Sequence, residues 1–200
     1  MSAIANLFVT TFVKMFFLLT PFFVLTMFLT MTRDMAPQAQ RRLAVRVGVA
    51  VYAVCMCLYF FGEYIFDLFG ITLDAFRIGS GSLLFLSAVA LVRDPSPSRV
   101  QEVNGDISVV PLAIPITVGP ATIGALMVMG ATVHGPLERV VASLGLLAAV
   151  LCVAVILYIG PAIEKLLGRT GISILSKITG LILAALSAQI VFTGVRGFLN

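Results

Sequence analysis

The chain has 200 residues, of which 60% are hydrophobic and only 11% are charged, and its mean hydropathy is +1.12. Soluble domains carry roughly 25% charged residues, so this composition excludes an ordinary soluble domain and indicates an integral membrane protein. The formal net charge of +4 comes from basic residues that lie mainly between apolar runs. This distribution carries information about membrane topology, and it does not indicate a nucleic-acid partner.

Six apolar segments follow one another, each near the roughly 20 residues that a helix needs to cross a bilayer. We therefore predict an all-α polytopic membrane protein with six transmembrane spans. In chain order these are Leu7–Met31, Ala44–Phe61, Ile71–Val92, Ile107–Met129, Val140–Ile159 and Ile172–Phe192. Residues 62–70 are too charged for the middle of a membrane, so they are predicted to form an interfacial turn. Residues 93–106 are predicted to be a cytoplasmic linker.

Span one carries a proline in its middle. Pro21, after Thr20, lacks the backbone N–H of a helix interior and would clash with the carbonyl four residues earlier, so we predict a broken helix. Lys14 is expected to mark the outer end of this span. Glu63, after span two, is a candidate carrier of the coupling ion, although an interfacial glutamate is more often simply solvated.

Span four contains the densest set of helix breakers. Pro111, Pro115, Gly119 and Pro120 lie in one apolar run, so a continuous helix is not expected there. Freed backbone groups are tolerated at membrane depth only where they are buried in protein or line a wet cavity. The alternative is a pair of packing kinks at which Ser and Thr side chains restore the backbone hydrogen bonds.

The two halves of the chain resemble each other. Residues 20–26 are matched by residues 119–125, which also place a proline second, and residues 76–81 are matched by residues 176–181. In the second match, Arg77 and Lys177 would correspond, and each is expected to extend towards lipid headgroups more readily than to contact substrate.

Each half would hold three spans, within residues 1–92 and 107–200. An odd number of spans turns the second half upside down relative to the first, so we predict two inverted three-helix repeats in one membrane domain. Paired interruptions in corresponding spans are a good sequence pointer to a transporter's binding site. Small residues at 79–82 in span three and at 180, 184 and 188 in span six predict that these two spans cross closely.

The breaks supply the candidate substrate contacts. A half-helix that begins after Gly119 would point N–H groups and a positive dipole end at a carboxylate, while loosened carbonyls near Thr117 could accept an ammonium. Gln189, an amide deep in span six, either bonds another helix or lines the pathway. The predicted substrate-binding residues are Thr20, Pro21, Thr117, Gly119, Pro120, Thr122 and Gln189.

Basic residues predict the orientation in the membrane. They concentrate in the loops after spans one, three and five: Arg33, Arg41, Arg42, Arg46, Arg93, Arg99, Lys165 and Arg169. The opposite side has only Arg139 and Arg196 in its loops and tail. The excess of basic residues in cytoplasmic loops therefore predicts that both termini lie outside.

A set of motifs spread over nearly the whole chain fits one known family. The motifs are residues 62–63, 77–81, 109–115, 119–120, 180–185, Gln189 and residues 194–196. They resemble the MarC family, also called the small neutral amino acid transporter family. The resemblance implies a six-span protein of the bacterial inner membrane, with transport of glycine, alanine and similar small neutral amino acids, and we expect coupling to H⁺ or Na⁺.

One motif departs from the family pattern. The first break in the family usually has Asn or Asp, then Pro, an aliphatic residue and Gly, whereas this chain has Thr20-Pro21-Phe22-Phe23. A bulky Phe23 replaces a glycine where backbone would meet a ligand. The resemblance therefore implies membership more strongly than it implies a substrate.

Other classes of function fit less well. A membrane-embedded enzyme would need a nucleophile, a metal or an acid–base pair, yet His134 is the one histidine in the sequence. Cys55, Cys57 and Cys152 are expected to be small apolar residues within spans, so we expect no metal and no cofactor. A non-transporting scaffold or a channel-like subunit remains the alternative. The lateral surface is expected to contact lipid, and the sequence does not define an oligomeric state.

Overall fold

The computed structural model describes residues 3–93, 117–133 and 135–199, which form seven helices and no strand. The helices are α1 (Ala3–Leu18), α2 (Pro21–Met31), α3 (Pro37–Phe69), α4 (Leu73–Arg93), α5 (Pro120–Thr132), α6 (Pro136–Tyr158) and α7 (Gly160–Leu199). The all-α prediction is confirmed for this part of the chain. The predicted linker at 93–106, apart from Arg93 at the end of α4, and the first part of span four lie outside the described residues.

Four helices are long and apolar enough to cross a membrane: α3 over Pro37–Gly62, α4, α6 and α7. α1 and α2 pass the same test together as one bent pair, which makes a fifth candidate span. α5 is apolar but too short to cross alone. The chain is therefore a multi-pass membrane protein, and the sixth predicted span depends on residues before 117.

The predicted break in span one is confirmed. α1 and α2 are bent by 41° relative to each other. Thr20 between them has the left-handed conformation, with φ 46° and ψ 56°, which costs a residue with a Cβ roughly 1–2 kcal/mol. Pro21 follows as the first residue of α2, where its missing N–H is not needed and its fixed φ suits a helix start.

A helix also begins at the predicted position in span four. α5 starts at Pro120, and Gly119 before it is extended, with φ −80° and ψ 173°. Residues 107–116 lie outside the described part of the chain, so a helix on the other side of this break remains a prediction.

The predicted interfacial turn at residues 62–70 is wrong for most of its length. α3 remains helical to Phe69, and the chain turns at Gly70, which has φ +62°. Across this turn the N–H of Ile71 donates to the carbonyl of Phe66 at 3.1 Å, a capping bond typical of a left-handed glycine. The segment contains no proline, and charged residues alone do not end a helix.

The charged segment after span five, predicted as a loop, is also helical. α7 begins two residues after α6 ends and has one kink at Gly168, with φ 66° and ψ 170°. Nε of Arg169 donates to Oε1 of Glu164 across the kink at 2.9 Å. α7 therefore has a short charged part before the predicted span Ile172–Phe192.

The helices pack reciprocally between the two halves of the chain. α4 lies along α7, and α3 packs on α6. α5 packs on α3 and α4, and α2 packs in the same way on α6 and α7. Six of the helices contribute large, fully buried side chains to the shared core: Leu25, Phe28, Val47, Leu84, Leu126, Leu146 and Leu183.

Small residues bring α4 and α7 close together, as their sequences predict. A Cβ atom added to Gly81 would lie 2.7 Å from Cγ2 of Val191, and one added to Gly180 would lie 2.9 Å from Cγ2 of Val92. These are the same contact, repeated with each residue 99 positions from its counterpart. The Ser187 hydroxyl also donates to the carbonyl of Gly81 at 2.9 Å, so the crossing combines close packing with a hydrogen bond.

The reciprocal contacts correct one detail of the sequence match. In their register Arg77 corresponds to Ser176, so the expected correspondence of Arg77 with Lys177 is wrong by one residue.

Charged and apolar surfaces lie where a membrane protein needs them. Leu86, Leu151 and Leu181, on α4, α6 and α7, each expose more than half of their surface, as expected for contact with lipid. Arg41 and Lys165 line one cavity of about 290 Å³, and the Arg41 guanidinium lies 5.2 Å from the Tyr158 ring centre. The segments after spans one and five therefore share a face, as the orientation argument requires.

Candidate substrate cavity

An open cavity of about 330 Å³ lies between α1, α4, α5 and α7. Its volume is at the small end of the range typical of ligand pockets. The polar residues in its wall are Thr10, Thr11, Lys14, Arg77, Ser80, Thr132, Gln189 and Thr193. Nearly half of the lining residues that the structure describes are thus polar, in a chain that is mostly apolar, and none of those described is acidic.

The lining residues of α1 form one continuous face. They are Leu7, Thr10, Thr11, Lys14, Met15 and Leu18, which are spaced by three, one, three, one and three. Residues at this spacing share one side of a helix. Lys14 therefore faces the cavity together with Thr10 and Thr11.

Lys14 does not lie at the outer end of the bent α1–α2 pair, so its expected role as a marker of that end is wrong. It is close to the break between α1 and α2, nearer to the middle of the bent pair than to either of its ends. The reason is that the span begins at least three residues before Leu7, which moves Lys14 inward.

Arg77 enters the cavity from the first turns of α4. Its Nη1 donates to Oδ1 of Asp74 at 2.8 Å, and the two side chains expose 21% and 28% of their surface. This pair neutralises much of the Arg77 charge and fixes the guanidinium, while the other guanidinium N–H groups can still donate. Ser80, one turn later, is nearly buried at the cavity wall.

Several hydroxyl groups in the wall are already used by their own helices. The Thr193 hydroxyl donates to the carbonyl of Gln189 at 2.7 Å, and that of Thr132 donates to the carbonyl of Val128 at 2.9 Å. Both hydroxyl oxygens keep lone pairs that can accept a hydrogen bond from a solute.

Among the predicted substrate-binding residues whose side chains the structure describes, Gln189 alone lines this cavity. Its side chain is exposed rather than buried among helices, which leaves its amide available to a solute. Of the two roles considered for Gln189, lining the pathway fits its position.

The two breaks lie next to each other. The hydroxyl of Thr122, which is 2% exposed, donates to the carbonyl of Leu18 at 3.0 Å. Leu18 is the last residue of α1, where carbonyls lack donors from their own helix. Thr122, in the second half of the chain, therefore supplies the hydrogen-bond donor for a carbonyl at the first break.

The other predicted residues at the breaks are only partly accessible. Pro21 is buried and Thr20 is half-buried, with no hydrogen bond from its side chain to the N-terminus of α2. Thr117 is 1% exposed, and Gly119 is half-buried. Whether these residues touch substrate stays a prediction.

Two predicted positions cannot be placed in the same way. Pro120 is the first residue of α5, but its side chain lies outside the described atoms. The same holds for the side chain of Glu63, which is within α3, so its role as coupling-ion carrier stays a prediction.

The sequence carried an unused signal for this cavity. Thr10, Thr11 and Lys14 place three polar residues on one face of an otherwise apolar helix. Polar residues inside a span usually face a cavity or another helix, so this face could have been identified from its spacing.

Together, the apolar helices, the bent pair and the polar cavity define an α-helical, multi-pass membrane protein with a polar cavity between helices of both halves. The family model for MarC family integral membrane proteins matches residues 5–199. The chain belongs to the MarC family, as its sequence motifs suggest.

Relatives occur in both archaea and bacteria. A UPF0056 membrane protein of Methanocaldococcus jannaschii is 33% identical over 96% of this chain and 97% of its own length. A second UPF0056 membrane protein of that organism is 31% identical over 98% of this chain and 90% of its own length. YhcE of Escherichia coli, also a UPF0056 membrane protein, is 28% identical over 93% of this chain and 90% of its own length. No solved structure matches the chain significantly.

Proposed function

We propose that the protein is a secondary transporter of small neutral amino acids, of the glycine and alanine class, or of similar small polar solutes. It works by alternating access at the interface of two inverted three-helix repeats. The observation that supports this proposal most is the polar cavity among the ends of α1, α4, α5 and α7. A structural scaffold has no need of a cavity whose wall combines two cations, an amide and several hydroxyl groups.

The reciprocal helix contacts support the inverted repeats. Gly81 and Gly180 meet Val191 and Val92 in the same way, with both partners displaced by 99 positions. In one contact the glycine belongs to α4 and the valine to α7, and in the other contact the two helices exchange these roles. A twofold axis between α4 and α7 produces such a pair of contacts. If each half has three spans, that axis lies in the membrane plane, which is the arrangement of many secondary transporters.

The cavity indicates which face is open. Its wall includes residues near the starts of α1 and α4, Leu7 and Arg77, and near the ends of α5 and α7, Thr132 and Thr193. The basic segments that contain Arg41 and Lys165 form a separate cavity. With those segments in the cytoplasm, as the distribution of basic residues favours, this cavity would open to the outside and both termini would lie there.

The substrate class comes from the resemblance to the small neutral amino acid transporter family. The absence of acidic residues from the described cavity wall fits a solute without a basic side chain. We place the protein in a bacterial inner membrane, with coupling to H⁺ or Na⁺ and Glu63 as the candidate carrier. The proposal assigns it transport rather than catalysis.

The test is uptake and counterflow of radiolabelled glycine and alanine in proteoliposomes, with and without imposed proton and sodium gradients. Flux above that of empty vesicles, lost in a Gly119→Leu variant that still reconstitutes, is the expected result. Gly79→Leu is the matched control, because nothing lies within 4 Å of a Cβ atom at Gly79.

A non-transporting scaffold predicts a different result. It would give no flux with any small solute, and its variants would lose function only when their abundance in the membrane falls. Normal transport by the Gly119→Leu variant would refute the proposal that the paired breaks form part of the substrate site.

A further inference from the structure

Lys14 is an exposed ammonium group in a candidate membrane span, and it lies on the wall of the cavity. It lies near the middle of the bent α1–α2 pair and on the face of α1 that lines the cavity. Ionisable residues in such positions are costly and usually mark a substrate pathway. A lysine that only extended towards lipid headgroups would lie near an end of the membrane span.

Among the described residues, no acid neutralises its charge, because Lys14 has no ion pair with any of their carboxylates. The cavity wall contains no acidic residue within the same described part of the chain. Within the described wall, the positive charge of Lys14 is therefore uncompensated.

A second cation contributes to the same wall. Arg77 is held by Asp74, so it adds little net charge, but its remaining N–H groups are fixed donors. Gln189 adds an amide from α7. Two cationic side chains and the NH₂ group of an amide place donors on this wall, which suits an anionic oxygen.

We propose that this cavity binds small solutes through a carboxylate group, with the Lys14 ammonium as its principal contact and Arg77 and Gln189 as further donors. The proposal rests on the transport function proposed above and specifies the group by which a solute is recognised. Zwitterionic amino acids and simple monocarboxylates share this group, whereas amines and neutral amides lack it. A charge-assisted hydrogen bond to carboxylate supplies the discrimination.

The first test uses the small number of lysines in the chain, which are Lys14, Lys165 and Lys177. Proteoliposomes are treated with a water-soluble, amine-reactive ester, and the labelling of each lysine is measured by mass spectrometry. Propionate should reduce labelling of Lys14 at least about fivefold, while labelling of Lys165 is unchanged. Propionamide, which has the same shape and no charge, should not protect.

Either of two results would overturn the proposal. One is equal protection of Lys14 by propionate and propionamide, and the other is labelling of Lys14 that no carboxylate reduces. This test uses the unaltered protein, so it remains decisive if variants of Lys14 fail to fold.

The second test compares equilibrium binding of radiolabelled alanine and propionate to three variants. Lys14→Met should weaken binding of both about 10- to 100-fold, because it removes a hydrogen bond to a charged group. Lys14→Arg should bind within a fewfold of the unaltered protein. Lys177→Met is the matched control outside the cavity wall and should bind normally. Binding by Lys14→Met equal to that of the control would contradict the proposal.

Binding and flux separate this proposal from the transport function. Protection of Lys14 by propionate without any flux would support carboxylate binding and refute transport. Transport of solutes that lack a carboxylate, together with an unprotected Lys14, would refute carboxylate binding and leave transport standing. Propionate and alanine in parallel show whether the site takes monocarboxylates, zwitterions or both.

Discussion

Equivalent stretches of α4 and α7 have different surroundings. Arg77 on α4 exposes 21% of its side chain to the open cavity, and Ser80, which is 7% exposed, lies in the same wall. Ser176 and Thr179 on α7, each 99 positions later, are 0% and 2% exposed. The Ser176 hydroxyl has no hydrogen-bond partner among the described residues. The two stretches make equivalent packing contacts with each other, yet the one on α4 borders an open cavity and the one on α7 is buried.

This difference is what alternating access predicts for a single state. If the halves exchange conformations, the stretch around Ser176 opens when the cavity beside Arg77 closes. A buried hydroxyl without a partner costs roughly 1–3 kcal/mol, and hydration of Ser176 in the other state would remove that cost. The alternating access proposed above would place its second pathway beside Ser176 and Thr179, on the opposite face.

The largest predicted effect concerns the crossing itself. Gly81→Val and Gly180→Val should each destabilise the protein by about 1–3 kcal/mol, because both added side chains would collide with the opposite helix. Thermal unfolding in detergent measures the change. Similar losses in the two variants support a twofold relation, and Gly79→Val, with open space around it, should have little effect. A large loss in only one of the pair would break the symmetry argument.

The next effect concerns the bond between the two breaks. Thr122→Val should destabilise the protein by about 1–2 kcal/mol, because the carbonyl of Leu18 loses its side-chain donor. Its counterpart 99 positions earlier, Phe23, has no hydroxyl, so the bond exists on one side only. Thr26→Val removes a bond to the carbonyl of Phe22 within one helix, and it should cost less than half as much. Equal losses would mean that the contact between the breaks has no special weight.

The smallest effect concerns the backbone at the breaks. Thr20→Gly should stabilise the protein by about 1 kcal/mol, because φ at Thr20 is 46° and glycine adopts this conformation without a Cβ penalty. Gly119→Ala should change the free energy of unfolding by less than about 0.5 kcal/mol on backbone grounds, because φ there is −80°. A loss of stability in Thr20→Gly would show that the threonine side chain contributes more than its conformation costs.

Much of the fold was predictable from local sequence signals. Pro21 located the first break, and the small residues of α4 and α7 located their crossing, because both act through short-range geometry. The end of α3 was mispredicted because a glycine at positive φ, Gly70, decides it, whereas the charges nearby do not.

The site was harder to predict for a different reason. The breaks at Thr20 and Gly119 are visible in the sequence, but which side chains face water depends on how four helices pack. The sequence predicts a position for Lys14 near the membrane surface, because the position of Lys14 along the span depends on where α1 begins. Its spacing with Thr10 and Thr11 was the signal that pointed to the cavity.

The most direct test of the account is the accessibility of two cysteines in equivalent positions. Ser80→Cys and Thr179→Cys are introduced into a chain whose Cys55, Cys57 and Cys152 are replaced by alanine, and both are treated with a membrane-impermeant thiol reagent. Without substrate, Ser80→Cys should react from the outer face and Thr179→Cys should be protected. During alanine counterflow, Thr179→Cys should become reactive from the cytoplasmic face only. Reaction of both cysteines from one face, or flux with Thr179→Cys always protected, would contradict alternating access between these two pathways.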